Sequence, residues 1–141
     1  MLSTTMVQRH QESHELWNQR NLDALASYFE PRLHYTEHSR SEKIPSLSEM
    51  RRFITGWWES FSDAQITDAE YFEAGEWTIC KFTLRGTNDG PFGRHPPTAR
   101  KVAFDCCELI HWTERGTAQA GDLYTSLLSL MIQLGFLPNV R

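Results

Sequence analysis

Residues 101–112 read Lys101-Val102-Ala103-Phe104-Asp105-Cys106-Cys107-Glu108-Leu109-Ile110-His111-Trp112, with no Gly or Pro to interrupt them. Strict alternation places Phe104, Cys106, Glu108, Ile110 and Trp112 on one face of an extended chain. The run is therefore read as a long, half-buried strand with an acid set among apolar neighbours. Upstream, 77–85 alternates in the same way, with Thr78, Cys80, Phe82 and Leu84 on one side. Residues 66–74 precede it across a Gly75-Glu76 turn. Downstream, 113–116 is a turn and 117–124 a further strand. Such strands, joined by tight turns, predict an antiparallel sheet.

The first half of the chain reads differently. Residues 3–19 are polar with apolar positions at Met6, Val7, His10, Leu16 and Trp17, the pattern of an amphipathic helix lying on the surface. Leu22, Leu25, Ala26, Tyr28 and Phe29 give a second, shorter stripe that Pro31 should stop. Residues 33–37 suit a short strand and 39–45 a polar loop. Ser46 and Glu49 have the spacing of a helix-capping box. Met50, Phe53, Ile54, Trp57 and Phe61 follow at helical spacing. Gly56 inside that helix costs about 1 kcal/mol relative to Ala, which predicts close packing there. A helix over 126–134, stopped by Gly135 and Pro138, closes the chain. Helices segregated from an antiparallel sheet define an α+β fold. A sheet curled around a helix would make a cone with an interior pocket.

The 141 residues fit one domain, 1–141, without repeats or a linker. The formal net charge is −4, which gives no basic face for nucleic acid. Three cysteines are too few and too odd for a disulfide framework and read as reduced thiols. With no apolar run long enough to span a bilayer and no signal-peptide pattern, a soluble cytoplasmic protein is expected. Five Trp, eight Phe and four Tyr supply a thick core or an apolar pocket.

The loop Gly86-Thr87-Asn88-Asp89-Gly90-Pro91-Phe92-Gly93-Arg94-His95-Pro96-Pro97-Thr98-Ala99-Arg100 resembles the signature of the SnoaL-like polyketide cyclases, with Ala99 where that pattern has Gly. Asn21-Leu22-Asp23 to Phe29, and Leu127-Leu128 with Gln133-Leu134-Gly135, resemble the family's short second helix and closing helix. The resemblance implies the cone shared with nuclear transport factor 2 and ketosteroid isomerase, and cyclase or isomerase chemistry on a small apolar molecule. It implies a catalytic Asp at the end of the last strand, where this chain has Ser126, a poor proton acceptor. Asp122 lies four residues earlier. Against ketosteroid isomerase, Glu108 falls at the place of a buried, protonated Asp and Glu37 near that of the base. Ser13 stands where the isomerase has its tyrosine.

Glu108 and Asp122 are the candidate catalytic residues. An acid on an apolar face should have a raised pKa, and a protonated carboxyl can donate to an enolate oxygen. Its bland alternative is a carboxylate paired with a cation across the sheet. Asp122 shares its predicted face with Ala118, Ala120 and Tyr124, so it would face the pocket unless the register slips by one residue. Glu37, His38, Trp58, Phe104, Trp112 and Tyr124 are the candidate ligand-binding residues. His34 and His38 share a strand face, but Glu37 has the opposite parity, so no metal site is assigned. His10 and His14 have helical i, i+4 spacing in a polar segment and read as solvated surface histidines. Trp57 and Trp58 point about 100° apart, so one wall cannot take both squarely.

The expected activity is proton transfer beside a carbonyl, leading to aldol cyclisation or isomerisation, with no cofactor. Its rivals are a non-catalytic ligand-binding module of the same fold and a dimerisation module with a collapsed pocket. A homodimer is expected, because one sheet face needs covering.

Overall fold

A computed structural model describes residues 5–139. The N-terminal helix α1 (Met6–Asn18) starts at Thr5, whose hydroxyl accepts from the Gln8 N–H while the Gln8 side chain accepts from the Thr5 N–H. The first two residues assigned to this helix from sequence lie outside the described residues. After α2 (Leu22–Ala26) come strands β1 (Phe29–Glu37) and β2 (Glu42–Ser46), and then α3 (Leu47–Ser60). Strands β3 (Gln65–Ala74), β4 (Trp77–Thr87), β5 (Lys101–Trp112) and β6 (Ala118–Thr125) follow, and α4 (Leu127–Gln133) ends the order. The six strands form one curved sheet in the order β2-β1-β6-β5-β4-β3.

Two local readings change. Pro31 does not merely stop α2. It lies inside β1, in the stretch between Phe29 and His34 where the register against β6 shifts. A bulged stretch tolerates a residue that has no N–H to give. The polar segment 39–45 contains edge strand β2, which pairs Ile44 with Tyr35 and buries Ile44 almost completely. The sheet is also not wholly antiparallel, because β1 runs parallel to β6. Parallel neighbours need a long crossover, and here that crossover is most of the chain.

Helix α3 packs its Met50, Ile54 and Trp57 stripe into the concave side of the sheet, against Phe82, Phe104 and Leu123 among others. Ser46 caps it by accepting from the Glu49 N–H. The close packing expected at Gly56 is absent: a Cβ there would meet nothing within 4 Å. The loop before β5 is pinned by Asn88, which is fully buried. Its amide donates to the Ser60 and Gly90 carbonyls and accepts from the Thr98 N–H and hydroxyl.

One irregularity decides which side chains face inward. His111 pairs with Ala120 but Trp112 with Ala118, leaving Gln119 as an extra residue in β6. Such a bulge shifts the alternation by one. Ala118 faces in. Beyond the bulge, Gly121, Leu123 and Thr125 face in, while Asp122 and Tyr124 face out.

Candidate active site

Between α1, α3 and the concave sheet lies a hollow with about 750 Å³ of atom-free space, its open mouth included. Its wall is mostly aromatic and aliphatic: Trp17, Tyr28, Tyr35, Phe53, Trp57, Phe82, Phe104 and Trp112 contribute rings. Glu108 is the one carboxylate in the wall. No Lys or Arg occurs among the described lining residues.

Three side chains hold the Glu108 carboxylate. His10 Nε2 lies 2.9 Å and His14 Nε2 2.8 Å from its Oε1, and the Tyr35 hydroxyl donates to Oε2 at 2.5 Å. The histidines come from α1, one helical turn apart, so both reach the same oxygen of β5. Both are buried, at 0% and 7% exposure, which corrects their reading as solvated surface residues. They stand on the inner stripe of α1 with Ser13 and Trp17, and the carboxylate of Glu108 satisfies both rings.

Tyr35 reaches Glu108 across β6, and Gly121 makes that possible. A Cβ at Gly121 would sit 2.7 Å from Tyr35 Cδ2 and 2.8 Å from the Leu109 carbonyl oxygen. The tyrosine ring therefore lies flat over a bare patch of backbone.

The protons in this cluster can be assigned by counting donors. Trp112 Nε1 can only donate, and it lies 2.8 Å from Thr78 Oγ1. The other partner of that hydroxyl is His10 Nδ1, at 2.8 Å. Thr78 is fully buried, so its own proton goes to His10 Nδ1. That leaves the His10 proton on Nε2, where it donates to Glu108. On the other ring, His14 Nδ1 lies 2.9 Å from the Tyr71 hydroxyl.

Burial by itself would push the Glu108 carboxyl up. Hydrogen bonds from His10 and His14 outweigh it and hold the group well below the usual carboxylate range. The raised pKa expected from the apolar face is thereby corrected: Glu108 is a carboxylate at neutral pH. Burial holds the His10 imidazole below its ordinary range, which agrees with a neutral ring. Burial together with the nearby Glu108 charge raises the Tyr35 phenol far above its ordinary value, so it remains a donor. Burial pushes the Cys80 thiol, beside Tyr71, up to about 12.

Donor atoms of His10, His14 and Glu108 all lie within 4.8 Å of one another, the makings of a metal site. In the proton arrangement just derived, the His10 Nε2 facing Glu108 carries hydrogen. Metal ligation through Nε2 would strand the buried Thr78 proton without an acceptor.

The other candidates divide between inside and outside. Phe104 and Trp112 line the hollow. Trp57 lines it too, whereas Trp58 packs edge-on against Trp17 with the Arg20 guanidinium over its ring. Glu37 is fully buried but pins the following turn, accepting from the Ser39 N–H and hydroxyl and from Arg40 Nε. The pocket-facing placement of Asp122 is corrected by the bulge at Gln119. Its carboxylate lies on the outer face, 2.7 Å from His38 Nε2, and His38 stacks on Tyr124 at 4.3 Å. Ser126 stands at the start of α4 without a side-chain capping bond, and its hydroxyl donates instead to the Asp105 carbonyl. The histidine pair and Tyr35 were missed as site residues. The available signal was the i, i+4 histidine spacing on the same stripe as Trp17, together with an acid on an apolar strand face that required donors.

The family model for SnoaL-like polyketide cyclase matches residues 6–134. A search of curated protein sequences found no match. Among solved structures, AclR from Streptomyces galilaeus superposes with a TM-score of 0.83 at 20% identity, covering 97% of this chain and 87% of that one. TsrD from Streptomyces laurentii gives 0.81 at 21% identity, covering 97% and 100%. A protein of ketosteroid isomerase-like fold from Catenulispora acidiphila, solved in complex with trimethylamine, gives 0.77 at 17%, covering 93% and 95%. At these identities the likeness concerns the fold.

Proposed function

The chain belongs to the SnoaL-like polyketide cyclase family, and from that premise we propose that it moves a proton at the carbon beside a carbonyl of a small apolar compound held in the hollow. The observation that carries this reading is the ionised Glu108 carboxylate at the polar end of an otherwise apolar chamber. Its role becomes that of a base. One lone pair on Oε2 is left unused by Tyr35. The C–H bond breaks, the proton passes to that lone pair, and the electron pair stays on the substrate as an enolate.

A protonated Glu108 holds its donors less tightly. The Tyr35 hydroxyl, which lines the hollow, is then free to turn to the enolate oxygen. Return of the proton to a different carbon completes an isomerisation. Attack of the enolate carbon on a second carbonyl, whose oxygen then takes the proton back from Glu108, completes an aldol cyclisation. His10 and His14 act through Glu108, keeping it ionised and oriented, and no cofactor enters these steps. Phe104 and Trp112 would contact the apolar body of the substrate. Asp122, outside the hollow, has no part in this scheme.

The test is hydrogen exchange in deuterium oxide with a panel of cyclic enones and β-diketones. Wild-type protein should label the carbon next to the carbonyl, and Glu108→Gln should lose that labelling by 100-fold or more, the order expected for a missing general base (~10²–10⁴-fold). Labelling that survives in Glu108→Gln removes Glu108 as the base.

One observation favours a second reading, a ligand-binding module without turnover. The family's acid/base place holds Ser126, which is committed to the Asp105 carbonyl. Tight binding of a panel compound with no exchange would select it. The partner we assign is a second copy of the chain, paired through the outer sheet face where Phe72 and Tyr124 are exposed. Sedimentation of wild type against Tyr124→Glu tests the pairing. Among the described residues, no helix is long and apolar enough to cross a membrane.

A further inference from the structure

Glu108 brings a carboxylate into a wall made largely of aromatic rings. The titratable side chains in that wall are His14, Tyr28, Tyr35, Cys106 and Glu108. The donor count makes His10, behind the wall, a neutral ring that donates through Nε2. His14 meets the same carboxylate oxygen through Nε2 and the Tyr71 hydroxyl through Nδ1. The described lining residues bring one carboxylate and neither lysine nor arginine to that count.

Proton transfer cannot change that sum. Before the step the charge lies on Glu108. After it, Glu108 is neutral and the enolate carries the charge. A charge kept from water is costly unless it is paired, and hydrogen bonds from neutral groups meet only part of that cost. A positive charge on the ligand would meet that cost. The rest of the wall suits such a guest, because Trp57, Phe104, Trp112, Phe82 and Tyr35 present π-systems to the same space. Aromatic rings attract a poorly hydrated cation through their quadrupole.

We propose that the natural ligand carries a protonated amine or quaternary ammonium group, seated between the Glu108 carboxylate and the aromatic wall. This rests on the small-molecule reading above and narrows it to cationic carbonyl compounds. The ligand's own charge neutralises Glu108 on binding and the enolate after proton transfer, a task that lysine or arginine would otherwise perform. Anionic ligands of the same shape are rejected by the same charge.

Three probes of one shape separate the possibilities: choline, its neutral isostere 3,3-dimethylbutan-1-ol, and 3,3-dimethylbutanoate. Binding is followed by tryptophan fluorescence and calorimetry at about pH 8, where free imidazole is neutral. Choline should bind about tenfold or more tighter than the alcohol, and the carboxylate should not bind. Glu108→Gln should erase the preference. Trp57→Leu removes a ring without touching the carboxylate network and should weaken choline more than the alcohol. Equal or tighter binding of the alcohol overturns the cation assignment and leaves the small-molecule reading intact. Binding of none of the three overturns both. A choline preference that persists in Glu108→Gln and in Trp57→Leu overturns the seat proposed here.

Discussion

Two carboxylate–histidine clusters sit on opposite faces of the same sheet. Inside, Glu108 receives His10, His14 and Tyr35 at the end of an apolar hollow. Outside, Asp122 meets His38, with side chains 30% and 34% exposed, and Tyr124 stacks on the histidine. The pairwise distances are nearly the same, 2.8 and 2.9 Å inside against 2.7 Å outside. What differs is the solvent. Water screens the outer pair and can replace either partner, so the pair has little influence on fold or chemistry. The inner carboxylate has no such substitute, and both of its histidine partners are themselves committed to a further group. Contact geometry alone does not distinguish the two sites. Burial and the second layer of partners do.

The contrast can be broken most directly by deleting the two acids. Glu108→Ala leaves two buried histidines and a buried phenol without their acceptor, and should cost about 3 kcal/mol or more in urea unfolding. Comparable losses for Asp122→Ala would end the distinction drawn here.

Next in size is an effect transmitted through backbone space. Gly121→Ala forces Tyr35 away from the sheet and should cost about 1–3 kcal/mol, as overpacking does. Tyr35→Phe in the same background should then cost less than it does alone, because the hydroxyl is already displaced.

Acid sharpens the comparison further. The folded-state pKa values of His10 and Glu108 both lie below their ordinary values of 6.5 and 4.5. At a pH below those ordinary values, the unfolded chain binds protons that the folded one refuses. The stabilisation is complete above pH 6.5 and is lost as pH falls, first through His10 and then, below 4.5, through Glu108. Urea titrations from pH 7 downward should show wild type losing more stability than His10→Gln in the upper part of that window. The smallest effect is expected outside, where Asp122→Ala should change stability by about 0.5 kcal/mol or less.

Much of this architecture was legible in the chain because it is local. The alternation in 77–85 and 101–112 follows from the two-residue period of a strand. The Met50, Ile54 and Trp57 stripe follows from the helical period. Glu108 stood out because an acid on an apolar strand face needs an explanation wherever that strand lies. Family membership was legible in the loop at 86–100, whose turn residues and Asn88 are fixed by backbone demands of that one place.

Other features required the folded molecule. Parity counting put Asp122 inside, but the extra residue Gln119 in β6 turned it out, and a bulge is defined by its partner strand. His10 and His14 looked like solvent-facing polar residues until β5 brought Glu108 beneath them. Tyr35 became a donor only because Gly121, 86 positions along the chain, left room for its ring. The pKa shift of Glu108 even changed sign between the two views: its own strand predicts a rise from burial, and the histidines of α1 reverse it. Periodicity belongs to neighbours in sequence, so the chain carries it openly. The charge state of a buried group depends on which distant segments surround it, and that is decided only when the sheet closes over the helices.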